Sequence, residues 1–311
     1  MAGEEVTWRL QCPDRESLLV RSWLPRGAPK AVLLVSHGMA EHSLRYRQLG
    51  RALAEGGWAV YAHDHRGHGG TALHPGRAGR LPAEDGWNVL VEDQHRVFEA
   101  VTRRHPGLPC FLLGHSMGSL VARDFAIRWS SQIDGLVLSG TLAPLGIRRR
   151  PSEIIAGLVV AWGGAARPSV LLDAMSVGRY ARAVPGARTD ADWLSRDPDE
   201  VDSYRADPWC GFTCSAGLFR AVLTGQVRVE DDGLVGLVRP GLPVLLIAGG
   251  DDPAGAGRRA TDATAVQYRD AGVRNVRARI WPGARHELLH EVDRQETISF
   301  VRDWLDKHLM S

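Results

Sequence analysis

The sequence predicts an α/β fold: a mostly parallel central sheet flanked by helices, with a helical insertion over the ends of its strands. Three observations carry this. Short, continuous apolar runs recur at residues 31–35, 58–62, 110–113, 136–138 and 244–248, which suits strands covered on both faces. Segments with helical spacing separate most of them, at 46–55, 87–104 and 119–129, with another at 260–271 after the last run. The alternation then stops between about Thr141 and Gly241, a stretch far too long for a structureless loop, which reads as a helical cap.

In chain order, two strands at 6–11 and 17–23 flank a Pro13-Asp14 turn. A Pro- and Gly-rich loop at 25–29 leads into the first buried strand, and the alternating segments follow. The chain closes with a strand at 276–281 and a helix at 297–309. Residues 1–140 and 241–311 are thus expected to form the core, and 141–240 a cap, or lid. In open parallel sheets ligands bind outside the carboxyl ends of the strands, so a cap there would roof the site.

Composition narrows the class. The 311 residues are 44% hydrophobic, enough to bury a full core with an inserted subdomain. A net charge of +2 with scattered arginines argues against nucleic acid as a partner. Cys12, Cys110, Cys210 and Cys214 form no C-x-x-C pair. Cys110 lies in an apolar run and reads as a buried thiol, whereas Cys210 and Cys214 could pair without the sequence requiring it. The first residues are acidic and lack an apolar signal core, and no apolar stretch nears the ~20 residues of a membrane span. A cytoplasmic protein is the expectation.

The main chemical signal is Gly114-His115-Ser116-Met117-Gly118. The bare pattern is weak, but an apolar strand runs into it and a helical segment leaves it, the context of a nucleophile elbow. A serine hydroxyl needs a base. His286 follows the last strand in Gly283-Ala284-Arg285-His286-Glu287. An acid must orient that ring, and Asp252 follows the strand at 244–248, with adjacent Asp251 as its rival. The order Ser, Asp, His is that of α/β-hydrolases. A developing oxyanion needs donors. The N–H of Met117 is one candidate. The N–H of Met39 is the other, because Gly38 lets the loop after the strand at 31–35 turn inward. The segment His63-Asp64-His65-Arg66-Gly67-His68-Gly69 has the look of a metal site. It lacks the carboxylate immediately before its last histidine and has no second histidine–aspartate cluster, so a structural role beneath the oxyanion loop is expected, with no metal.

Together these motifs resemble the monoacylglycerol lipase and bacterial lysophospholipase branch of the α/β-hydrolases. The matching pieces are His37-Gly38-Met39-Ala40-Glu41-His42-Ser43 with Arg45-Tyr46, the 63–69 segment, the 114–119 elbow, Gly249 with Asp252-Pro253, and Arg285-His286-Glu287 with Glu291. The segments 192–197 and 207–212 resemble the cap of bacterial members. The resemblance implies Ser116, Asp252 and His286 as the triad and the Met39 and Met117 N–H groups as the oxyanion hole. It favours Asp252 over Asp251, and it implies that Glu41 and Arg45 shape the glycerol end of the pocket. The chain departs at Leu289, where those enzymes often carry a histidine, and has His290 one place on. Lysophospholipids and simpler esters therefore stay open beside monoacylglycerols.

The expected activity is serine-dependent hydrolysis of acyl esters without a cofactor. Related acyl chemistry on small esters, thioesters or amides, or acyl transfer, uses the same parts. A binding protein on the same fold is the remaining alternative. The cap's apolar segment beside Arg148-Arg149-Arg150 is expected to pack over the pocket, with peripheral contact to an anionic membrane as the alternative.

Overall fold

The computed structural model describes residues 5–81 and 85–309. Eight strands form one sheet: β1 (Glu5–Gln11), β2 (Ser17–Trp23), β3 (Ala31–Ser36), β4 (Trp58–His63), β5 (Cys110–His115), β6 (Gly135–Ser139), β7 (Val244–Gly249) and β8 (Val276–Trp281). Their order is β1-β2-β4-β3-β5-β6-β7-β8. The β1–β2 and β2–β4 pairs are antiparallel, and every pair from β4 through β8 is parallel. Every residue of β3 to β7 is buried, whereas the edge strands β1 and β8 are partly exposed. That is why the central strands read as continuous apolar runs.

Alternate residues of these strands feed two cores. Val32, Leu34, Leu112, Leu136 and Leu246 face one side, against α2 (Gly86–Arg104), α3 (Met117–Trp129) and α10 (Arg259–Asp270). Leu33, Val35, Phe111, Leu113 and Ile247 face the other, against α1 (Arg47–Glu55) and α11 (Arg294–Lys307). Each fully buried side chain of this kind contributes about 1.5–3 kcal/mol. The expected mostly parallel sheet with helices on both faces is therefore what the chain forms.

Between β6 and β7 lie α4 (Arg149–Gly163), α5 (Val170–Met175), α6 (Val177–Arg182), α7 (Pro198–Ala206), α8 (Ala216–Val229) and α9 (Asp232–Val235). Leu218, Ala221 and Val229 of α8 and Val235 of α9 join the main core. The helix α4 rests on α8 through Ile155, Ala156, Val159 and Val160. Its opposite face leaves Ile154, Leu158 and Trp162 exposed. Among the described residues no helix is long and apolar enough to cross a membrane. All four cysteines are buried and free, so Cys210 and Cys214 do not pair.

Candidate active site

Ser116 sits between β5 and α3 with φ 52° and ψ −119°, a left-handed φ that a side chain adopts only when its surroundings impose it. The turn is pinned on both sides. The Ser116 N–H donates to the Ser139 carbonyl of β6 at 3.0 Å, and the Ser119 hydroxyl donates to the Ser116 carbonyl at 2.6 Å. Gly118 is required by close approach: a Cβ there would lie 2.0 Å from the Ser36 carbonyl oxygen. The local sequence thus builds the strand–turn–helix elbow that lifts a serine above the sheet's carboxyl edge.

His286, on the loop after β8, is buried, and its Nδ1 lies 2.9 Å from Asp252 Oδ2. That carboxylate is itself fixed, its Oδ1 accepting the Ala254 N–H at 2.8 Å. Asp251 is exposed, so of the two adjacent acids only Asp252 meets the ring. Burial disfavours the charged imidazole, but the Asp252 charge and hydrogen bond outweigh it, leaving the His286 pKa above its ordinary value. Its Nε2 is buried and has no hydrogen-bond partner among the described residues. His115, the neighbour of Ser116, brings its ring to 4.8 Å from that of His286. Asp252 and His286 are therefore paired, and the ring of His115, the residue before Ser116, lies against that pair.

The loop after β3 packs against the elbow. A Cβ at Gly38 would lie 3.3 Å from the Ser116 Cβ. Met39 follows directly, and Met117 opens α3. Among the described residues neither backbone N–H donates to a protein acceptor. Two backbone donors without a protein acceptor thus lie on the loop packed against the elbow and at the residue after Ser116.

Glu41 lies beneath this loop, 2% exposed. Its Oε1 accepts the Gly38 N–H at 2.5 Å and the Tyr46 hydroxyl at 2.9 Å, and its Oε2 meets Arg45 Nη1 at 3.1 Å. The Arg45 guanidinium also makes a two-point pair with Glu287, at 2.5 and 2.7 Å. Burial raises the carboxyl pKa of Glu41, yet the Arg45 charge together with those of His115, His37 and His290 more than offsets it and leaves the pKa below its ordinary value. Arg45 also borders a cavity of about 310 Å³, with Tyr204, Asp207, Cys210 and His290. Glu287 and Tyr46 had no assigned role in the sequence reading; only the identity of the Arg45 partner, 242 residues away, reveals it.

The 63–69 histidines are all buried; His65 and His68 each use one ring nitrogen in a hydrogen bond, whereas both ring nitrogens of His63 have no partner among the described residues. His65 donates its N–H to His37 Nε2 at 2.9 Å, and His37 Nδ1–H donates to the Gly38 carbonyl at 2.7 Å. His65 Nε2 meets the Ser36 hydroxyl at 3.0 Å, and His68 Nδ1 meets the Arg66 carbonyl at 2.9 Å. Asp64 binds the Ser43 N–H and hydroxyl and the Gly70 N–H. This is a packed layer under the 38–43 loop.

Comparison with known proteins gives the family of the chain. A family model described as serine aminopeptidase, S33, matches residues 27–293. The chain is 30% identical over 294 residues to a monoacylglycerol lipase of Mycolicibacterium smegmatis, covering 92% of each chain. It is 35% identical over 246 residues to a human monoglyceride lipase, covering 77% of this chain and 71% of the relative. Among solved structures it is similar to a thermostable carboxyl esterase of Bacillus coagulans in complex with glycerol, with a TM-score of 0.90, 26% identity and 99% coverage of both chains.

Proposed function

The chain belongs to the α/β-hydrolase family described as serine aminopeptidase, S33, and from that premise we propose that it is a carboxylic-ester hydrolase that cleaves acyl esters of the monoacylglycerol or lysophospholipid kind through an acyl-enzyme on Ser116. The observation that carries this reading is the His286–Asp252 pair at 2.9 Å, whose ring, with a buried and unpartnered Nε2, lies 4.8 Å from that of His115, the neighbour of a serine held in a strained turn.

In this mechanism the Ser116 hydroxyl attacks the acyl carbonyl while His286 Nε2 takes its proton. The Asp252 carboxylate holds the Nδ1–H and stabilises the imidazolium. The Met39 and Met117 N–H groups receive the negative charge on the carbonyl oxygen. The imidazolium returns its proton to the departing alcohol. A water, activated by the now neutral ring, then hydrolyses the acyl-enzyme.

Glu41 and Arg45 shape the head-group side, as fixed charges that bind one another and the oxyanion loop. The relatives named as monoacylglycerol lipases and the glycerol complex of the similar esterase support a small polyol ester as substrate. Residues 141–240 act as the cap that lines the acyl path, and its exposed outer face meets lipid.

Hydrolysis of p-nitrophenyl esters of increasing acyl length, with Ser116→Ala as control, tests the reading. The expected result is a long-chain optimum that the variant abolishes, together with fluorophosphonate labelling of the wild type alone. Full turnover by Ser116→Ala would overturn it.

A further inference from the structure

Beside the oxyanion loop stands a group of side chains the ester chemistry does not use. His42 lies on that loop, while Asp207 and Cys210 lie on the turn after α7. Their donor atoms all lie within 4.8 Å of one another, with His42 Nε2 and Asp207 Oδ2 at 2.9 Å. They supply a nitrogen, an oxygen and a sulfur. We propose that His42, Asp207 and Cys210 bind one thiophilic divalent cation, zinc being the natural fit, and that the cation ties the oxyanion loop to the segment after α7.

Four features carry this. The first is donor chemistry: one imidazole, one carboxylate and one thiolate match zinc and exclude magnesium and calcium, which prefer all-oxygen sets. The second is distance. Zinc bonds of about 2.0–2.3 Å at tetrahedral angles place donor atoms about 3.3–3.7 Å apart. The His42–Asp207 pair, at 2.9 Å, has to open slightly and Cys210, within 4.8 Å of both, has to close by at most about an ångström, a range that side-chain torsions cover.

The third is the state of the sulfur. Cys210 is more than nine-tenths buried and is a free thiol. Asp207 and Cys210 both border the cavity of about 310 Å³, which gives a cation a way in and leaves room for a water as fourth ligand. The fourth is the local field. The nearest cationic side chain, Arg45, is covered by Glu41 at 3.1 Å and Glu287 at 2.5 Å, so these three groups with Asp207 carry a net negative charge. The remaining Asp207 oxygen accepts the Trp209 N–H at 2.8 Å, which leaves Oδ2 aimed at the site.

Two backbone contacts already link the same parts. The Ala40 carbonyl, next to Met39, accepts the Gly211 N–H at 3.0 Å and the Tyr204 hydroxyl at 3.0 Å. A cation at the three side chains adds a third tie between the loop that carries the Met39 N–H and the cap side of the molecule.

The test uses the full chain, stripped with chelator and titrated with cobalt(II) as spectroscopic probe. One equivalent should produce a sulfur-to-cobalt charge-transfer band in the near ultraviolet. Zinc should erase it stoichiometrically, and a large excess of magnesium should not. Cys210→Ser should lose the band. Asp207→Asn, which keeps the thiol, should retain it with affinity lowered at least tenfold. Thermal unfolding and fluorophosphonate labelling establish that each variant is folded, and they report on Ser116 independently of the metal. No band in the wild type, a band unchanged in Cys210→Ser, or unchanged affinity in Asp207→Asn would each overturn the proposal.

Discussion

Trp193 lies against His286 with ring centroids 4.9 Å apart and planes inclined by 35°. The residues around it strap the same loop: the Glu287 N–H donates to the Leu194 carbonyl at 2.8 Å, the Arg285 guanidinium donates to the carbonyls of Asp192 and Ser195, and the Ser195 hydroxyl donates to the His290 carbonyl. The segment before α7 thus holds the base in place. Trp193→Ala should lower kcat roughly tenfold by loosening the ring's position, and Trp193→Phe should restore most of it. Removing the indole also admits water. Since burial lowers the His286 pKa, the acid limb of kcat/KM should move to higher pH. Unchanged kcat with an unmoved limb would show the stacking to be packing alone.

Asp252 governs the same limb from the other side. His286 must be neutral to act as base, so activity rises as pH passes upward through its pKa, which the Asp252 charge holds above the ordinary value. Asp252→Asn removes that charge. The limb should move to lower pH while kcat falls by about 10³–10⁴, because the amide no longer fixes the ring's tautomer. A pH–rate profile of the variant checks both, and a limb that stays put would assign the acid role elsewhere.

The strand ends made the triad positions legible. Ser116 and Asp252 each follow an apolar run and His286 follows the last strand, and short loops leave little choice of location. The choice between Asp251 and Asp252 was not legible from the residues alone, since both occupy one turn; it depends on how the Ala254 N–H and the Gly257 N–H, which donates to the Asp252 carbonyl, wind that turn. The Trp193–His286 contact and the Arg45–Glu287 pair were hidden for another reason. Their partners are far apart in sequence, and local periodicity carries no information about which distant residues the fold brings together. Helix α4 was half legible: its apolar content was plain, but two opposed apolar faces blur a single stripe.

Glu41 is a buried anion with three donors, and it supports the loop that carries Met39. Glu41→Gln keeps its volume but removes the charge. Breaking a buried pair in this way costs about 3–5 kcal/mol, and here Arg45 retains Glu287, so the lower end is expected. Urea unfolding should record that loss. If Glu41 acts by holding the loop, kcat should fall with KM nearly constant, whereas a rise in KM alone would make it a head-group contact.

Acid should destabilise this fold early. Burial, the largest cause in each case, lowers the pKa of His37 and His63 to about 4, of His68 to about 3, and of His65 well below its ordinary value. The unfolded chain takes up these protons near pH 6.5 and the folded chain only near 4 or below. Stability is therefore intact above pH 6.5 and declines as pH falls from there toward 4. At pH 5.5 each neutral ring costs about 1.4 kcal/mol. Urea midpoints measured at pH 7.5 and 5.5 should differ by more than His68→Phe alone removes, and equal midpoints would mean that the folded chain takes up these protons as readily as the unfolded one.

The outer face of α4 bears on where the substrate is met. Ile154, Leu158 and Trp162 recur every four residues and point outward, and Ile147, 97% exposed, precedes them. Arg148, Arg149 and Arg150 lie exposed at the start of the same helix. The inner face, with Ile155 and Val159, packs on α8; the outer face has no partner among the described residues and suits a lipid surface. Co-sedimentation with vesicles containing anionic lipid should retain the wild type more than zwitterionic vesicles do. Replacing Ile154, Leu158 and Trp162 together by serine should release the protein and slow hydrolysis of vesicle-borne ester several-fold, while a soluble short-chain ester is cleaved at the original rate. Equal loss on both substrates would place the effect in the folding of the cap, and no loss on either would leave this face without a role at the membrane.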